Sequence, residues 1–218
     1  MTGSGQVRGK CLAGAMMVFL LLAFSPILAV AEAEAQGEPE YIIQSLSDRL
    51  RDVLEQDRER IKTDRAYVYR LADEIVAPHV DFDRVSSLAL GKHWRRATPE
   101  QKAEFVHQFQ RMLVRTYATA FHEFGEWSIR FLPQREGKNA SKIMVRSEVL
   151  RPGAPPASVN YRMHHKDGTW KAYDVVIEGV SLVTNYRNSF SREVRRGGMD
   201  ALIKRITSMN DKRVAQAG

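Results

Sequence analysis

The sequence predicts an α+β protein in which a four-stranded antiparallel meander is covered by several helices. Apolar residues recur at helical spacing from about residue 40, the pattern changes to strict alternation between Trp127 and Ile177, and helical spacing returns after Ser181. Four strand-like runs follow one another with short polar turns between them, which pair most simply as a meander.

The elements follow in order. Ile42, Ile43, Leu46, Leu50, Val53 and Leu54 recur among charges between Glu40 and Arg60, the signature of an amphipathic helix lying on something. Asp64 is placed to cap a second helix with Tyr67, Leu71, Ile75 and Val76 inward, ending before Pro78, and a short third runs from Asp81 to Leu90. Thr98-Pro99-Glu100-Gln101 supplies a cap, a proline at the first helical position and a glutamine three residues after the cap. The long helix it opens carries Phe105, Phe109, Met112, Leu113, Tyr117, Ala120 and Phe124 on one face and stops at Gly125.

Trp127, Ile129 and Phe131 form the first strand; Ile143, Val145, Ser147 and Val149 form the second, beyond a polar turn at Gln134 to Ala140. Arg151 to Ala157, with three prolines, is a loop. Val159, Tyr161 and Met163 then alternate, Lys166-Asp167-Gly168 turns the chain, and Trp170 to Ile177 returns. Ser181 opens a helix through Leu182, Val183, Tyr186 and Phe190 that breaks at Gly197-Gly198, and a last helix uses Leu202, Ile203 and Ile206. A flexible polar tail is expected over 210–218.

The N-terminus is a secretory signal by pattern. Arg8 and Lys10 precede a stretch from Cys11 to Ala31 without any charge, and Ala29-Val30-Ala31 offers a small-x-small cleavage site, with later ones up to Ala35. Residues 1–31, or as far as 35, are therefore expected to be removed. The one cysteine of the chain, Cys11, goes with them, so disulfides and thiol chemistry are excluded from the remainder. The formal charge of +7 falls to about +5. For an exported basic protein the acidic counterpart is a membrane surface or an acidic protein, not nucleic acid.

Enzyme signatures are sparse: no G-x-S-x-G, H-E-x-x-H, G-x-G-x-x-G or phosphate-loop motif is present. His164 and His165 point to opposite faces of a strand and cannot share a metal ion without a bulge; they are expected as surface residues near a turn. Asp174, near the end of a strand facing a covered concavity, is the candidate general base if the protein is an enzyme. Arg95-Arg96 and Arg195-Arg196 are expected on a solvated face.

The stretch from Tyr173 to Arg187, reading YDVVIEGVSLVTNYR and followed by Phe190, resembles the MlaC family, also called the toluene-tolerance auxiliary family, of periplasmic phospholipid-binding proteins. Thr169-Trp170-Lys171, the segment Trp94 to Gln101, the Phe105 to Tyr117 face and the block Gly198 to Ile206 also fit, so the resemblance covers nearly all of the expected mature chain. It implies a single cystatin-like or cone-like domain with an apolar cavity, residues 40–209 being the lipid-binding domain. It implies a carrier that moves phospholipid between the membranes, with the lipid as cargo and no cofactor. The implied partners are an outer-membrane lipoprotein–porin complex and an inner-membrane ABC transporter with a ring-forming lipid-binding subunit.

On that resemblance the cavity is expected to be lined by Val175, Ile177, Val180, Leu182 and Val183, by Tyr186 and Phe190 on the next helix, and by Phe109, Met112, Leu113 and Tyr117 on the long one. Val180 is the favoured single residue, and Arg187 is the candidate contact for the lipid phosphate. An exported small-molecule enzyme of cone-like fold and a periplasmic chaperone or adaptor are the alternatives. N-terminal sequencing of the exported protein is expected to find a chain starting between residues 32 and 36; a retained leader would tether the protein and exclude a free shuttle.

Overall fold

The computed structural model describes residues 38–123, 126–133 and 140–215. The expected leader, the helix stop at Gly125 and most of the turn before the second strand lie outside them.

Two helices, α1 (Pro39–Gln56) and α2 (Arg58–Thr63), stand where one was expected, the chain turning at Asp57. The third, α3 (Arg65–Ile75), is capped by Asp64, whose carboxylate accepts from the Tyr67 amide at 2.8 Å. The broad apolar stripe of α1 serves two neighbours. Ile42, Ile43 and Leu46 pack on the sheet, while Leu46, Leu50, Val53 and Leu54 meet Val68, Leu71 and Ile75 of α3. A 3-10 turn at Ala77–His79 leads to α4 (Phe82–Leu90), and another at Gly91–Arg96 leads to α5 (Pro99–Glu123). The capping box forms in both directions: the Gln101 amide donates to the Thr98 hydroxyl at 3.2 Å, and the Thr98 amide to Gln101 Oε1 at 3.1 Å.

The sheet contains β1 (Ser128–Phe131), β2 (Lys142–Val145), β3 (Ser147–Leu150), β4 (Ala157–Lys166), β5 (Thr169–Ile177) and the short β6 (Val180–Ser181), all paired antiparallel. β2 and β3 are the single second strand of the expected meander. Val145 lies opposite Tyr161 and Glu148 opposite Ser158, so one register runs through both. The interruption at Arg146 is made by side chains: the Ser147 amide donates to Asn160 Oδ1 at 3.2 Å and its hydroxyl to the Val159 carbonyl at 2.5 Å. β4 turns into β5 at Asp167-Gly168, where both φ angles are positive (51° and 80°), the geometry a two-residue hairpin requires.

A bulge divides β5. Met163 faces Ala172 but Arg162 faces Asp174, leaving Tyr173 as the extra residue. Beyond it the alternation is inverted, so that Val175 and Ile177 join Ala172 on one face.

The last helical run, α6 (Leu182–Ala215), departs from helical geometry at Gly198 (φ 81°, ψ −177°), as the paired glycines predict. Its later part does not fray at 210. Asn210 is fully buried and its side-chain amide donates to the Gln108 carbonyl at 3.0 Å and to Gln108 Oε1 at 2.9 Å, while its backbone carbonyl accepts from Arg115 at 2.6 Å. The segment read as a tail because its partners are polar groups on α5, invisible to a hydrophobic pattern.

His164 is also corrected: it is buried, not a surface residue. Its Nε2 lies 2.9 Å from Asp81 Oδ2, which Lys166 Nζ also reaches at 3.0 Å, while Asp81 Oδ1 accepts from the Arg84 amide at 3.1 Å as the cap of α4. One carboxylate thus pins α4 to β4. Burial pushes Asp81 up, but the Arg84 amide, Lys166 and His164 together outweigh it and hold the carboxyl below its ordinary 3.8. Burial and Arg84 hold His164 below its ordinary 6.5, against the pull of Asp81.

Both depressed values make acid destabilising. The unfolded chain binds a proton at this histidine from about pH 6.5 downward while the folded one resists, and the Asp81 contribution is lost as pH falls through its folded value. Urea unfolding is expected to show stability falling as pH is lowered from about 6.5. At neutral pH Asp81→Ala is expected to cost about 3 kcal/mol, for the lost cap and the broken pair with partly exposed Lys166.

Candidate functional site

The register defines one face of the sheet that is apolar almost throughout. Ile129 and Phe131 of β1, Ile143 and Val145 of β2, Val149 of β3, Val159, Tyr161 and Met163 of β4, and Ala172, Val175 and Ile177 of β5 share it, because paired residues lie on a common side. Helix α1 covers part of this inner face through Ile42 and Ile43, which cluster with Val145, Met163 and Ala172.

Coverage is incomplete. Ile129, Phe131, Ile143, Val159, Tyr161 and Val175 are only half-buried, and exposure rises along β5 from 8% at Ala172 to 37% at Ile177 and 58% at Val180. The result is an apolar trough whose lining residues become more exposed toward the β5–β6 turn. Apolar surface of this extent marks an interaction or ligand site more often than an accident of folding.

The expected cavity residues separate into three groups. Phe109, Met112, Val183 and Phe190 are buried at 8% exposure or less in the helical core with Phe105. There Phe109 and Phe190 meet edge to face with centroids 5.1 Å apart, and Phe105 and Phe190 likewise at 5.5 Å. These four are packing residues. Leu113, Tyr117, Tyr186 and Leu182 are half-buried; Leu113 and Tyr186 pack against this core, and the hydroxyls of Tyr117 and Tyr186 approach to 3.5 Å.

Val175, Ile177 and Val180 lie on the inner face, Val175 half-buried and the other two exposed. Val180, favoured from the resemblance, stands at a hairpin tip beyond Glu178 and Gly179, whose φ angles are 47° and 79°. Arg187 is exposed with its guanidinium over Gly91, on the α4 side of α6. At Gly91 φ is +54°, a conformation that favours glycine, while the guanidinium that a β-carbon there would meet at 2.7 Å is the mobile end of an exposed side chain. The expected lining leaves out Ile129, Phe131, Ile143, Val159 and Tyr161 of the same face, although the alternation that marks β1 to β4 as strands also places them together.

The candidate general base does not face the trough. The bulge turns Asp174 to the opposite side, where Oδ2 accepts from the Ser181 hydroxyl at 2.7 Å and Arg162 at 3.2 Å, and Oδ1 accepts from the Val183 amide at 3.1 Å. Both oxygens are thus bonded to groups that tie β4 and the start of α6 to β5, which accounts for the carboxylate structurally. Arg96 and Arg195 flank buried His93 with Lys92; burial first, then these cations, holds that imidazole below its ordinary value. Among the described residues no group of three or more His, Cys, Asp or Glu side chains could hold a metal ion.

An antiparallel meander with a partly covered apolar face, joined to a separately packed helical core, defines an α+β domain suited to holding an apolar ligand. Residues 44–208 match the family model described as MlaC protein, and the chain belongs to the MlaC family. It is 31% identical over 186 residues to toluene tolerance protein ttg2D of Pseudomonas putida, with 84% of this chain and 83% of that one covered. It is 25% identical over 194 residues to the intermembrane phospholipid transport system binding protein MlaC of Haemophilus influenzae, covering 88% and 89%. Among solved structures, the phospholipid-binding protein from Ralstonia solanacearum, in complex with a phospholipid, aligns with a TM-score of 0.74 and 28% identity over 80% of this chain and 97% of that one.

Asp174→Ala is expected to destabilise the protein by about 3 kcal/mol in urea unfolding, since it strands the buried Val183 amide and frees Ser181. Asp174→Asn, which keeps one acceptor, is expected to cost about half of that.

Proposed function

We propose that this protein is a periplasmic phospholipid carrier, holding its cargo by the acyl chains against the inner face of the sheet and exchanging it with an outer-membrane lipoprotein–porin complex and an inner-membrane ABC transporter whose ring-forming subunit binds lipid. The observation that carries the reading is the half-buried apolar trough. The phospholipid in the complex of the Ralstonia solanacearum relative and the transport role in the name of the Haemophilus influenzae relative support it. The phospholipid is cargo, not a cofactor.

The energetics call for such a device. Each acyl CH₂ taken out of water is worth about 0.8 kcal/mol, so two chains of about 15 methylenes would cost on the order of 20 kcal/mol uncovered between the membranes. The charged, hydrated head group gains little from burial and stays in solvent. Release then requires a partner that supplies a continuous apolar path, because unassisted exit carries most of that transfer penalty.

Native mass spectrometry after mild purification, followed by organic extraction, tests the reading. Diacyl phospholipid in stoichiometric amount is expected; protein that carries peptide, or nothing, overturns it. Val175→Glu places a carboxylate in the half-buried trough and is expected to lower the bound-lipid fraction at least tenfold, a loss of about 1.4 kcal/mol or more. Val180→Glu, at the exposed turn, is expected to leave most of the lipid in place.

A further inference from the structure

We infer that the Tyr161 hydroxyl is the polar anchor of the trough, donating a hydrogen bond to an ester carbonyl oxygen of the bound diacyl lipid. The inference rests on the carrier reading and adds to it an atom of the cargo and the group that recognises it.

Tyr161 sits within β4, opposite Val145 of β2 on one side and Val175 of β5 on the other, so it shares the inner face with two valines and, two residues along its own strand in each direction, with Val159 and Met163. Its ring packs against the cluster of Ile42, Ile43, Val145, Met163 and Ala172, yet the residue stays half-buried. The hydroxyl is therefore a polar group set in an apolar wall. It has no hydrogen-bond partner among the described residues.

Other polar groups around the same sheet are provided for. Trp127 Nε1 donates to Ser47 Oγ at 3.0 Å, the Ser147 hydroxyl donates to the Val159 carbonyl, and Asp174 accepts three hydrogen bonds. Half-buried and without a protein partner, this hydroxyl is left to bond to water or to whatever occupies the trough, whereas phenylalanine would fill the same space with no polar group to provide for. The hydroxyl is thus free to meet an acceptor that none of the described residues supplies.

The chemistry of the cargo limits the candidates. Acyl methylenes accept nothing, and the phosphate belongs outside with its water. The ester carbonyls, where the chains join the glycerol, are the acceptors nearest the tails. Burial pushes the Tyr161 hydroxyl up to about 12, so it keeps its proton and acts as a donor throughout the neutral range.

The test uses the delipidated mature protein and two phosphatidylglycerols with identical chain lengths, one ester-linked and one ether-linked and so without carbonyls, in equilibrium binding. Wild-type protein is expected to prefer the diester. Tyr161→Phe is expected to weaken diester binding roughly threefold to tenfold and to leave diether binding unchanged, abolishing the preference, with no loss of stability. Equal loss for both lipids, loss for neither, or a wild-type protein without preference overturns the inference while leaving the carrier reading intact. Failure of wild-type protein to bind either lipid overturns both.

Discussion

The carboxylate of Asp174 is the join on which the rest of the arrangement depends. It sits on β5, yet accepts from Arg162 of β4, from Ser181 of β6 and from the Val183 amide at the start of α6. A helix N-terminus presents unpaired amides and favours negative charge, so the residue serves as a cap delivered from another element. The Ser181 hydroxyl passes the interaction on by accepting from the Thr184 amide. Sheet and helical layer are thereby fixed through one buried side chain. The bulge at Tyr173 makes this possible, since without it Asp174 would share the inner face with Ala172 and place a charge in the trough.

Division of labour among the cores explains how an apolar face can be left partly uncovered. The helical core of Phe105, Phe109, Phe190, Leu202 and Ile206 is tightly buried, and α1, α2 and α3 form a second apolar cluster around Ile61, Leu71 and Ile75. Loss of one large side chain from such a core typically costs 3–5 kcal/mol, so these clusters carry substantial stability without help from the sheet. The inner face can then retain apolar surface for a ligand, and an acyl chain lying there would replace the burial that the protein itself forgoes.

The fold was legible because its signals are local. Strand alternation, the Thr98-Gln101 capping box, the Asp64 and Ser181 caps and the Gly197-Gly198 break each act within a few residues, and each reappears in the structure. What sequence reading missed depends on distant partners: Asn210 docks on Gln108 about a hundred residues away, and His164 is buried because Asp81 and Lys166 receive it. The bulge is likewise set by Tyr173 leaving the ladder toward Arg84 and His164, which no alternation count contains. The site was legible in kind but not in detail, because a period of two shows that Val175 and Asp174 lie on opposite faces without showing which face is covered.

That difference bears on how a binding site can be separated from a core. Large aromatic residues at helical spacing drew the expected site toward Phe109 and Phe190, yet aromatic residues are the ones that fill space most effectively, and here they fill it completely. A carrier's wall has to satisfy a weaker condition, namely apolar surface that its own neighbours leave unfilled. Medium-sized side chains such as Val159, Val175 and Ile143 on a sheet meet it, because the pleat holds them in a row while a single amphipathic helix covers only part of that row. On the proposed reading the ligand would face those residues whose neighbours leave space above them, a property of the packed structure that hydrophobicity alone does not encode.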